Sequence, residues 1–329
     1  MTRQAPYKRN EPRNRGTLLS VLICLVLALL IFSGLLKTFK FPGHNSSKSY
    51  SWDKQSSFAV ALETEPPSVL VFQKDPSRII FLTVDKNLYF ERGSLKSIKQ
   101  ISSAMQGRGK EFSDSMSLVF GVPIKNYVKF SKVQGMDNLS AKQLFKSFAS
   151  LGTPFVILTG GKPSYVKDTN ITRSDALSLW WQAKSLSIND IKLADLSGMN
   201  EEILAGNTKV LGADTLSINR EIGNYLDNPN IEKDGYKIII VNESQNPYSG
   251  VVAARFVSVV GGNVISTEDG AQRRQKCQIV VDKPGDYTPS YLANMLGCDI
   301  SNLEIKGPNG HDKAITIYLG QDFSERYFQ

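Results

Sequence analysis

An uncharged stretch from Gly16 to Leu36 constrains this chain more than any other part of its sequence. Leu, Val, Ile, Ala and Phe fill most of its positions. A helix of about 21 residues reaches about 31 Å, the thickness of the hydrocarbon core of a bilayer, and satisfies its own backbone polar groups in lipid. The stretch therefore predicts a transmembrane helix over residues 17–37, with Cys24 within it as a small apolar residue or an acylation site.

Two other structures could account for so apolar a stretch. A cleaved signal peptide has a shorter apolar region and ends at a small-residue cleavage site, whereas this stretch ends in Gly34-Leu35-Leu36-Lys37 without a good small-x-small site. A buried helix would not need so long an uninterrupted apolar run. A retained membrane span fits both the length and the ends of the stretch.

Basic residues set the expected orientation of the chain. Residues 1–16 hold five basic residues and one acidic residue, and by the positive-inside rule this tail lies in the cytoplasm. Lys37 and Lys40, beyond the span, weaken the contrast without reversing it. The sequence therefore predicts a single-pass protein of the cell membrane, with a polar linker over residues 38–57 and the bulk of the chain outside the cytoplasm.

The net charge of +8 is concentrated close to the predicted span. Residues 1–40 carry seven basic residues and one acidic residue, which is +6, and this leaves +2 for the rest of the chain. The outer part has no basic stripe with interleaved aromatic residues, so nucleic acid is not an expected partner. The excess of basic residues fits membrane topology and contact with lipid.

Cysteine and histidine are too scarce for most metal and thiol chemistry. Cys277 and Cys298 are the two cysteines outside the span. A disulfide between them in an oxidising compartment and two buried free thiols both fit the sequence. His44 and His311 lie far apart in polar surroundings, which argues against a histidine-based metal site or a Ser-His-Asp triad.

Apolar patterning predicts a first α/β domain over residues 58–228. Two short apolar runs, 68–72 and 78–84, flank a Lys-Asp-Pro-Ser turn and predict paired strands. Trp180 and Trp181 could form a sugar-stacking platform, but their helical spacing from Leu177 favours a place in the core. The other expected elements are helices over 113–120, 140–151, 172–186 and 214–226 and strands over 126–130, 155–158 and 191–196, with 198–213 irregular. Ser140 and Thr172 are expected to cap the second and third of these helices.

A second α/β domain is expected over residues 234–323, after the Asn228-Pro229-Asn230 boundary. Strands alternate with helices there, which predicts one sheet with helices packed against it. The β-branched run from Tyr236 to Val241 is typical of a buried strand. Helices are expected over 250–260 and over 288–296, the second capped by Thr288, and further strands over 263–266, 276–281 and 314–319.

This last segment resembles the LytR C-terminal domain, found in bacterial envelope proteins beside or after LytR-CpsA-Psr domains. Glu243 departs from the pattern, since that domain usually places glycine there. The resemblance is carried by Ile238-Ile239-Ile240-Val241-Asn242, the small-residue helix from Gly250, Gly262-Asn263-Val264, Tyr291-Leu292-Ala293-Asn294-Met295-Leu296-Gly297 and Ile315-Thr316-Ile317-Tyr318-Leu319-Gly320-Gln321-Asp322.

The middle segment resembles a degenerate LytR-CpsA-Psr domain. The matching stretches are Lys74-Asp75-Pro76 with Ile79-Ile80-Phe81-Leu82-Thr83-Val84, Gly121-Val122-Pro123-Ile124-Lys125-Asn126-Tyr127-Val128, and Thr169-Asn170-Ile171-Thr172 with Asp190-Ile191. The resemblance implies transfer of glycopolymers from a polyprenyl-pyrophosphate carrier to the cell wall, through arginines and aspartates that hold pyrophosphate and a divalent cation.

The chain departs from this family where the chemistry would occur. Asp85-Lys86-Asn87-Leu88 stands in place of Pro-Arg-Asp-Thr, and the short loop Gly160-Gly161-Lys162-Pro163 lies where a second Arg and Asp cluster is expected. Lys86 is a point charge rather than an arginine fork, and Asp85 alone is a poor Mg²⁺ site. These two residues are therefore candidates for anion binding only, and the 160–163 loop reads as a turn.

Three functional hypotheses follow. The first is a non-catalytic, membrane-anchored envelope protein without a cofactor, which binds cell-wall polymer, a polyprenyl-linked glycan or other envelope proteins. The second is a diverged glycopolymer phosphotransferase that uses Lys86, Asp85 and Mg²⁺, with Arg78 or Arg173 as further donors. The third is a structural or regulatory partner of a true transferase. The missing arginines favour the first and third, and convergence of charged residues on a deep apolar groove would distinguish them from the second.

Overall fold

The computed structural model describes residues 52–91, 98–205, 207–281, 285–302 and 313–328. The predicted cytoplasmic tail and membrane span lie outside these residues. Among the described helices, none is both long enough and apolar enough to cross a bilayer.

Helices and strands alternate along the described chain, so the predicted mixed α/β class is confirmed. The strands are β1 (Phe58–Glu65), β2 (Ser68–Gln73), β3 (Arg78–Thr83), β4 (Tyr89–Glu91), β5 (Ile98–Gln100), β6 (Asn126–Gly135), β7 (Val166–Thr169), β8 (Ile191–Asp195), β9 (Asn200–Ala205), β10 (Thr208–Ala213), β11 (Lys237–Asn242), β12 (Asn263–Asp269), β13 (Gln278–Val281), β14 (Asp299–Asn302) and β15 (Ala314–Leu319). The helices are α1 (Ile101–Gln106), α2 (Gly109–Phe120), α3 (Asn138–Phe148), α4 (Thr153–Leu158), α5 (Arg173–Ala183), α6 (Thr215–Leu226), α7 (Pro229–Asp234), α8 (Ser249–Val259), α9 (Tyr287–Leu296) and α10 (Gln321–Phe328), with a 3₁₀ turn at Ile188–Asp190.

A six-stranded mixed sheet forms the centre of the first half, in the order β7-β6-β1-β2-β3-β8. Strands β1, β2 and β3 are mostly buried on both sides because each face of the sheet is covered. In β3, Ile80 and Leu82 point into one cluster of buried side chains, and Ile79 and Phe81 point into another. This alternation follows from the two-residue period of a strand.

The two faces of this sheet are covered by different helices. On one face, α2 packs against β1 and α6 against β2, and both contribute apolar side chains to the cluster around Ile80. On the other face, α3 and α5 supply Phe145, Leu179 and Ala183 to the cluster around Phe81. The sheet therefore lies between two helical layers.

A five-stranded sheet forms the centre of the last segment, in the order β12-β11-β15-β13-β14. Strand β11 pairs in parallel with both β12 and β15, and α8 packs against β11 and β12 while α9 packs against β13 and β14. The predicted sheet with helices against it is confirmed for the described part of this segment.

The described residues belong to one compact unit, Tyr50–Gln329. Side chains of α2, α6, α8 and α10 share a single apolar cluster, while the six-stranded and five-stranded sheets are separate. The predicted boundary at Asn228-Pro229-Asn230 falls at the start of α7, which Asn228 caps. The division into domains 58–228 and 234–323 therefore stays a prediction.

The predicted buried strand over residues 155–158 is wrong. These residues form α4, which carries Pro154 in its first turn, where a helix needs no N–H donor. Phe155 and Leu158 are 70% and 48% exposed, and Ile157 is buried. A short apolar run does not by itself distinguish a strand from a helix. Here Pro154 favours the helix, because proline suits the first turn.

Residues 198–213 are not irregular, as the sequence suggested, but contain the antiparallel pair β9 and β10. Most residues of this pair are exposed, and Lys209 forms a surface ion pair with Glu202 at 2.8 Å. Because neither strand buries a full face, the apolar alternation that reveals a strand is weak.

Two predicted helix caps are displaced. Helix α3 begins before Ser140, because Asp137 Oδ1 accepts the backbone N–H of Ser140 at 2.7 Å. Helix α9 begins at Tyr287, and Thr288 instead donates its N–H and its hydroxyl to Asp234 Oδ2 at 2.8 and 2.7 Å. The predicted cap of α5 is confirmed, since Thr172 Oγ1 accepts the N–H of Asp175 at 3.1 Å.

Candidate functional site

An apolar cavity of about 330 Å³ lies between the six-stranded sheet and helices α3, α4 and α5. Its floor consists of side chains of β1, β2, β3, β6 and the edge strand β7, and its roof comes from the three helices and from the loop after α4. The side chains that line it are Val60, Leu62, Leu70, Phe72, Ile79, Phe81, Val128, Phe130, Leu144, Phe145, Phe148, Ile157, Lys162, Pro163, Tyr165, Val166, Thr169, Ile171, Arg173, Ala176, Leu179 and Ala183, together with Gly160 and Gly161. The volume lies in the range of pockets that hold small molecules, about 300–1,000 Å³.

The cavity opens where its charged lining residues lie. Lys162 and Arg173 are the two charged residues among those that line it. Both are exposed, as are Gly160 and Gly161 beside them, whereas the lining residues of β1 and β3 are buried. The arrangement combines an apolar interior with cationic groups at the opening, which suits an amphiphile with an anionic headgroup.

Gly160 allows Arg173 to approach the opening closely. Its φ of +82° lies in the left-handed region, and a Cβ added there would lie 2.6 Å from Nη2 of Arg173. Any side chain at this position would push the guanidinium away and strain the backbone. The glycine therefore places an arginine fork against the loop that carries Lys162.

Lys162 is held at the opening by a carboxylate on the neighbouring strand. Its Nζ lies 3.0 Å from Oδ1 of Asp168, and the hydroxyl of Tyr127 donates to Oδ2 at 2.9 Å. Burial opposes ionisation of Asp168, but the hydrogen bonds from Lys162 and Tyr127 outweigh it and lower the pKa of the carboxyl. Asp168 is therefore ionised at neutral pH and forms an ion pair with Lys162 beside it.

Tyr165 adds a polar group to the apolar lining. Its hydroxyl is buried and has no hydrogen-bond partner within the described residues, and burial raises its pKa to about 12. The group is therefore a neutral hydroxyl at physiological pH, able to donate one hydrogen bond to a ligand atom. No sequence motif singled out this residue.

The anion-binding candidates taken from the sequence lie elsewhere. Lys86 forms an ion pair with Glu65, and its hydrogen bond with Glu65 raises the pKa of the ammonium. Asp85 accepts the backbone N–H of Asn87 at 2.8 Å in a turn after β3. Neither residue lines the cavity, so anion binding by Lys86 and Asp85 stays a prediction. Arg173, which the sequence offered only as a further donor, does line it.

Trp180 and Trp181 do not lie in the core as the sequence suggested. Trp181 is 74% exposed, and Trp180 donates its indole N–H to the carbonyl of Ser150 at 2.9 Å. The buried side of α5 is formed instead by Leu179 and Ala183. The predicted helix is confirmed, but its buried side is formed by positions 175, 179 and 183 and not by 177, 180 and 181.

Cys277 and Cys298 are joined by a disulfide in the structure, with a Cα–Cα distance of 4.5 Å. Cys277 immediately precedes β13 and Cys298 immediately precedes β14, two strands that pair in parallel. Both side chains are buried. The bond therefore fastens the end of α9 to the start of a central strand, far in the sequence from the cavity.

Within the described ranges, no three His, Cys, Asp or Glu side chains lie close enough together to hold a metal ion. At the opening of the cavity, the carboxylate is Asp168, and Lys162 already occupies one of its oxygens. Mg²⁺ bound by a protein usually relies on one or two carboxylates together with phosphate oxygens. The residues at the opening thus supply cations for an anionic group but few ligands for a metal.

Searches by sequence found no protein-family model and no curated protein that matches this chain. Solved structures to which it is similar include TagV of B. subtilis, with 12% identity and a TM-score of 0.37 over 50% of this chain and 94% of that chain. They also include the LytR-CPS2A-psr family protein TagT with bound octaprenyl pyrophosphate lipid, with 12% identity and a TM-score of 0.35 over 54% of this chain and 94% of that one. TagT bound to LIIa-WTA gives 11% identity and a TM-score of 0.36 over 56% and 98% of the respective chains.

Proposed function

We propose that this chain is a membrane-anchored, extracytoplasmic envelope protein of bacteria that binds a polyprenyl-linked glycan or its lipid carrier without transferring it. The observation that carries the proposal is the apolar cavity under α3, α4 and α5, with Lys162 and Arg173 at its opening. The resemblance of the middle segment to LytR-CpsA-Psr domains narrows the ligand from any anionic amphiphile to a polyprenyl phosphate.

The tail of the lipid would occupy the apolar interior. Branched and aromatic side chains from both the sheet and the helices exclude water there, and burial of a hydrocarbon tail contributes about 25 cal/mol for each Å² removed from water. The phosphate would lie at the opening, where Arg173 offers a planar fork and Lys162 a point charge. The glycan would then extend outwards from the opening.

We propose a lack of transfer because the opening is poor in the groups that the transfer reaction needs. Breaking the bond to the carrier requires stabilisation of charge that develops on pyrophosphate. The ammonium of Lys162 forms an ion pair with Asp168, with 3.0 Å between Nζ and Oδ1. A single carboxylate that is already paired with a lysine is a poor metal ligand. The diverged phosphotransferase remains the alternative, because Arg173 at the opening is a group of the kind that transferases use.

Binding can be tested with the detergent-solubilised full chain and a polyprenyl phosphate that carries a photoreactive group in its tail. We expect crosslinks to residues that line the cavity. Ala176→Phe adds a ring to the roof and should reduce crosslinking about tenfold, a change of about 1.4 kcal/mol. Leu216→Ser, at an exposed position of α6, is the matched control and should not change it.

The headgroup contacts have a separate readout. Lys162→Ala combined with Arg173→Ala should weaken binding of polyprenyl phosphate and leave binding of uncharged polyprenol unchanged. Crosslinks outside the cavity, or full crosslinking in Ala176→Phe, would refute the proposal. Turnover of a polyprenyl-pyrophosphate glycan with peptidoglycan and Mg²⁺, lost in the same double variant, would support the transferase instead.

The membrane location is part of the proposal. It rests on the uncharged stretch and the basic tail of the sequence, which predict an outer location for everything beyond residue 41. A reporter that is active only in the cytoplasm, fused after Gln329, should give no signal. The same reporter fused before residue 1 should be active, and the reverse pattern would contradict the assigned topology.

We also assign residues 234–323 to a LytR C-terminal-like domain. The parallel pairing of β11 with β12 and β15 and the cover of α8 and α9 support an α/β unit there. The resemblance in its sequence supports an envelope location. In this proposal it accompanies the lipid-binding half and adds no catalytic group.

A further inference from the structure

An exposed apolar surface lies beside the cavity on α4, α5 and the turn before α4. It is named the α4–α5 patch here and consists of Leu151, Phe155, Leu158 and Trp181, which are 71%, 70%, 48% and 74% exposed. Exposed apolar residues that occur singly need no explanation, but a group of large ones on adjacent elements marks an interaction surface.

Two members of the patch lie on one side of α4. Phe155 and Leu158 follow the i, i+3 spacing of a helical face, and Leu151 lies in the turn two residues before the helix begins. Ile157 of the same helix is buried and lines the cavity. Helix α4 thus separates the cavity from the patch and turns one side to each.

Trp181 joins this surface through the contact between α4 and α5. The neighbouring ring of Trp180 lies 6.2 Å from it, centroid to centroid, and is fixed by its hydrogen bond to Ser150, the residue before Leu151. Lys184 lies three residues after Trp181, on the same side of the helix, and is exposed. An exposed tryptophan next to a lysine is typical of surfaces that lie in the headgroup region of a membrane.

The charge of the surrounding segment is positive. Residues 138–186 contain six basic and two acidic residues, a net charge of +4. Both acidic residues are engaged within the fold. Asp168 pairs with Lys162, and Asp175 is buried, where it caps α5 with Thr172. The charge is therefore complementary to anionic lipid, which attracts basic residues by about 1 kcal/mol each near the surface.

The described chain also begins next to this region. Trp52, the first described residue, is buried and donates its backbone N–H to Oδ1 of Asp175 at 3.2 Å. Fourteen residues, 38–51, separate it from the end of the predicted span. That length bounds the reach of the linker to about 50 Å, and the linker would enter the fold at the first turn of the helix that carries Trp181.

From these observations we propose that the α4–α5 patch docks onto the surface of an anionic phospholipid bilayer. The opening of the cavity is close to this patch along the chain, because the loop directly after α4 supplies Lys162. A sugar polymer is a poorer occupant, since three of the four side chains are not tryptophan or tyrosine and two are aliphatic. The inference holds whatever the cavity contains.

Tryptophan fluorescence of the full chain in vesicles tests the proposal. The chain has three tryptophans, and Trp52 is buried, so quenching by phospholipids brominated on their acyl chains reports on Trp180 and Trp181. In vesicles of phosphatidylcholine and phosphatidylglycerol in equal parts, we expect strong quenching that Trp181→Phe largely removes. Phe155→Ser with Leu158→Ser should reduce it at least by half, and Leu216→Ser should leave it unchanged.

Controls show whether quenching comes from docking of the patch and not from the membrane anchor, from a change in the fold or from binding in the cavity. Because the substituted side chains are exposed, circular dichroism should show an unchanged fold in the patch variant. Ala176→Phe should retain quenching even though it impairs the cavity, so failure of the proposed lipid binding is distinguishable. Absent quenching in the unsubstituted chain, equal quenching in the patch variant and in Leu216→Ser, or equal quenching in pure phosphatidylcholine would each overturn the proposal.

Discussion

Arg255 links the last segment of the chain to the layer of helices under the six-stranded sheet. From α8, its guanidinium donates to the carbonyls of Leu118 and Val119 at 2.6 and 2.8 Å and to Oδ1 of Asn219 at 2.8 Å. The two carbonyls lie in the last turn of α2, where no helical N–H is available. Burial lowers the pKa of the guanidinium to about 10, so it stays charged at neutral pH.

Arg255→Met should destabilise the protein by about 3 kcal/mol, because it leaves buried carbonyls without donors. Arg255→Lys should destabilise the protein less than Arg255→Met, since lysine retains the positive charge but not the planar fork of the guanidinium. Thermal unfolding of the detergent-solubilised chain, followed by circular dichroism, measures both. Lys233→Met, at an exposed position of α7, is the control, and equal melting of Arg255→Met and this control would contradict the assigned role.

At the scale of single residues, the sequence correctly indicated that lysine and arginine side chains would matter, but it did not indicate which of them lie together at the cavity. The resemblance to LytR-CpsA-Psr domains pointed to Lys86, because this residue follows a strand whose sequence resembles a strand of those domains. The structure pairs Lys86 with Glu65 and brings Lys162 and Arg173 to the cavity. Which cations meet depends on how α5 packs against the 160–163 loop, and that is a tertiary contact between residues without a shared motif.

Among the elements, the disulfide joins α9 to β13 and carries a prediction of its own. Closing the loop between Cys277 and Cys298, which are 21 residues apart, should stabilise the fold by about 3 kcal/mol through restriction of the unfolded chain. Mass spectrometry of the denatured, non-reduced chain should show a mass two protons below that of the reduced chain. Alkylation of both thiols without prior reduction would show that the bond is absent.

Helix ends were predictable where one residue type determines the backbone. Gly121 and Gly297 take positive φ at the ends of α2 and α9, as expected for glycine after a helix. Thr172 caps α5 for the equally local reason that its hydroxyl accepts an N–H. Helix α4 and strand β9 were missed because most of their large apolar side chains are exposed, so the apolar periodicity did not indicate a buried side.

For the whole molecule, the central question is whether the last segment folds without the first. We expect residues 234–328 to form the α/β unit alone, because it has its own sheet and helices. We also expect lower stability than in the full chain, since α8 and α10 would lose the apolar cluster they share with α2 and α6. Circular dichroism and a melting curve of that fragment test this, and a disordered spectrum would show that the boundary is wrong.

The floor and the roof of the cavity differ in how freely their residues can be substituted, because the floor belongs to the central sheet. The floor comes from strands whose opposite faces are already packed under α2 and α6, so a new floor residue must satisfy neighbours in one layer without displacing those in the other. The roof, together with the edge strand β7, comes from a single contiguous stretch, from α3 to the end of α5, and the outer side of its helices faces solvent or, if docked, lipid. Exchange of that one stretch between related chains would therefore alter the length and shape of tail that is accepted, while the strands beneath keep their register.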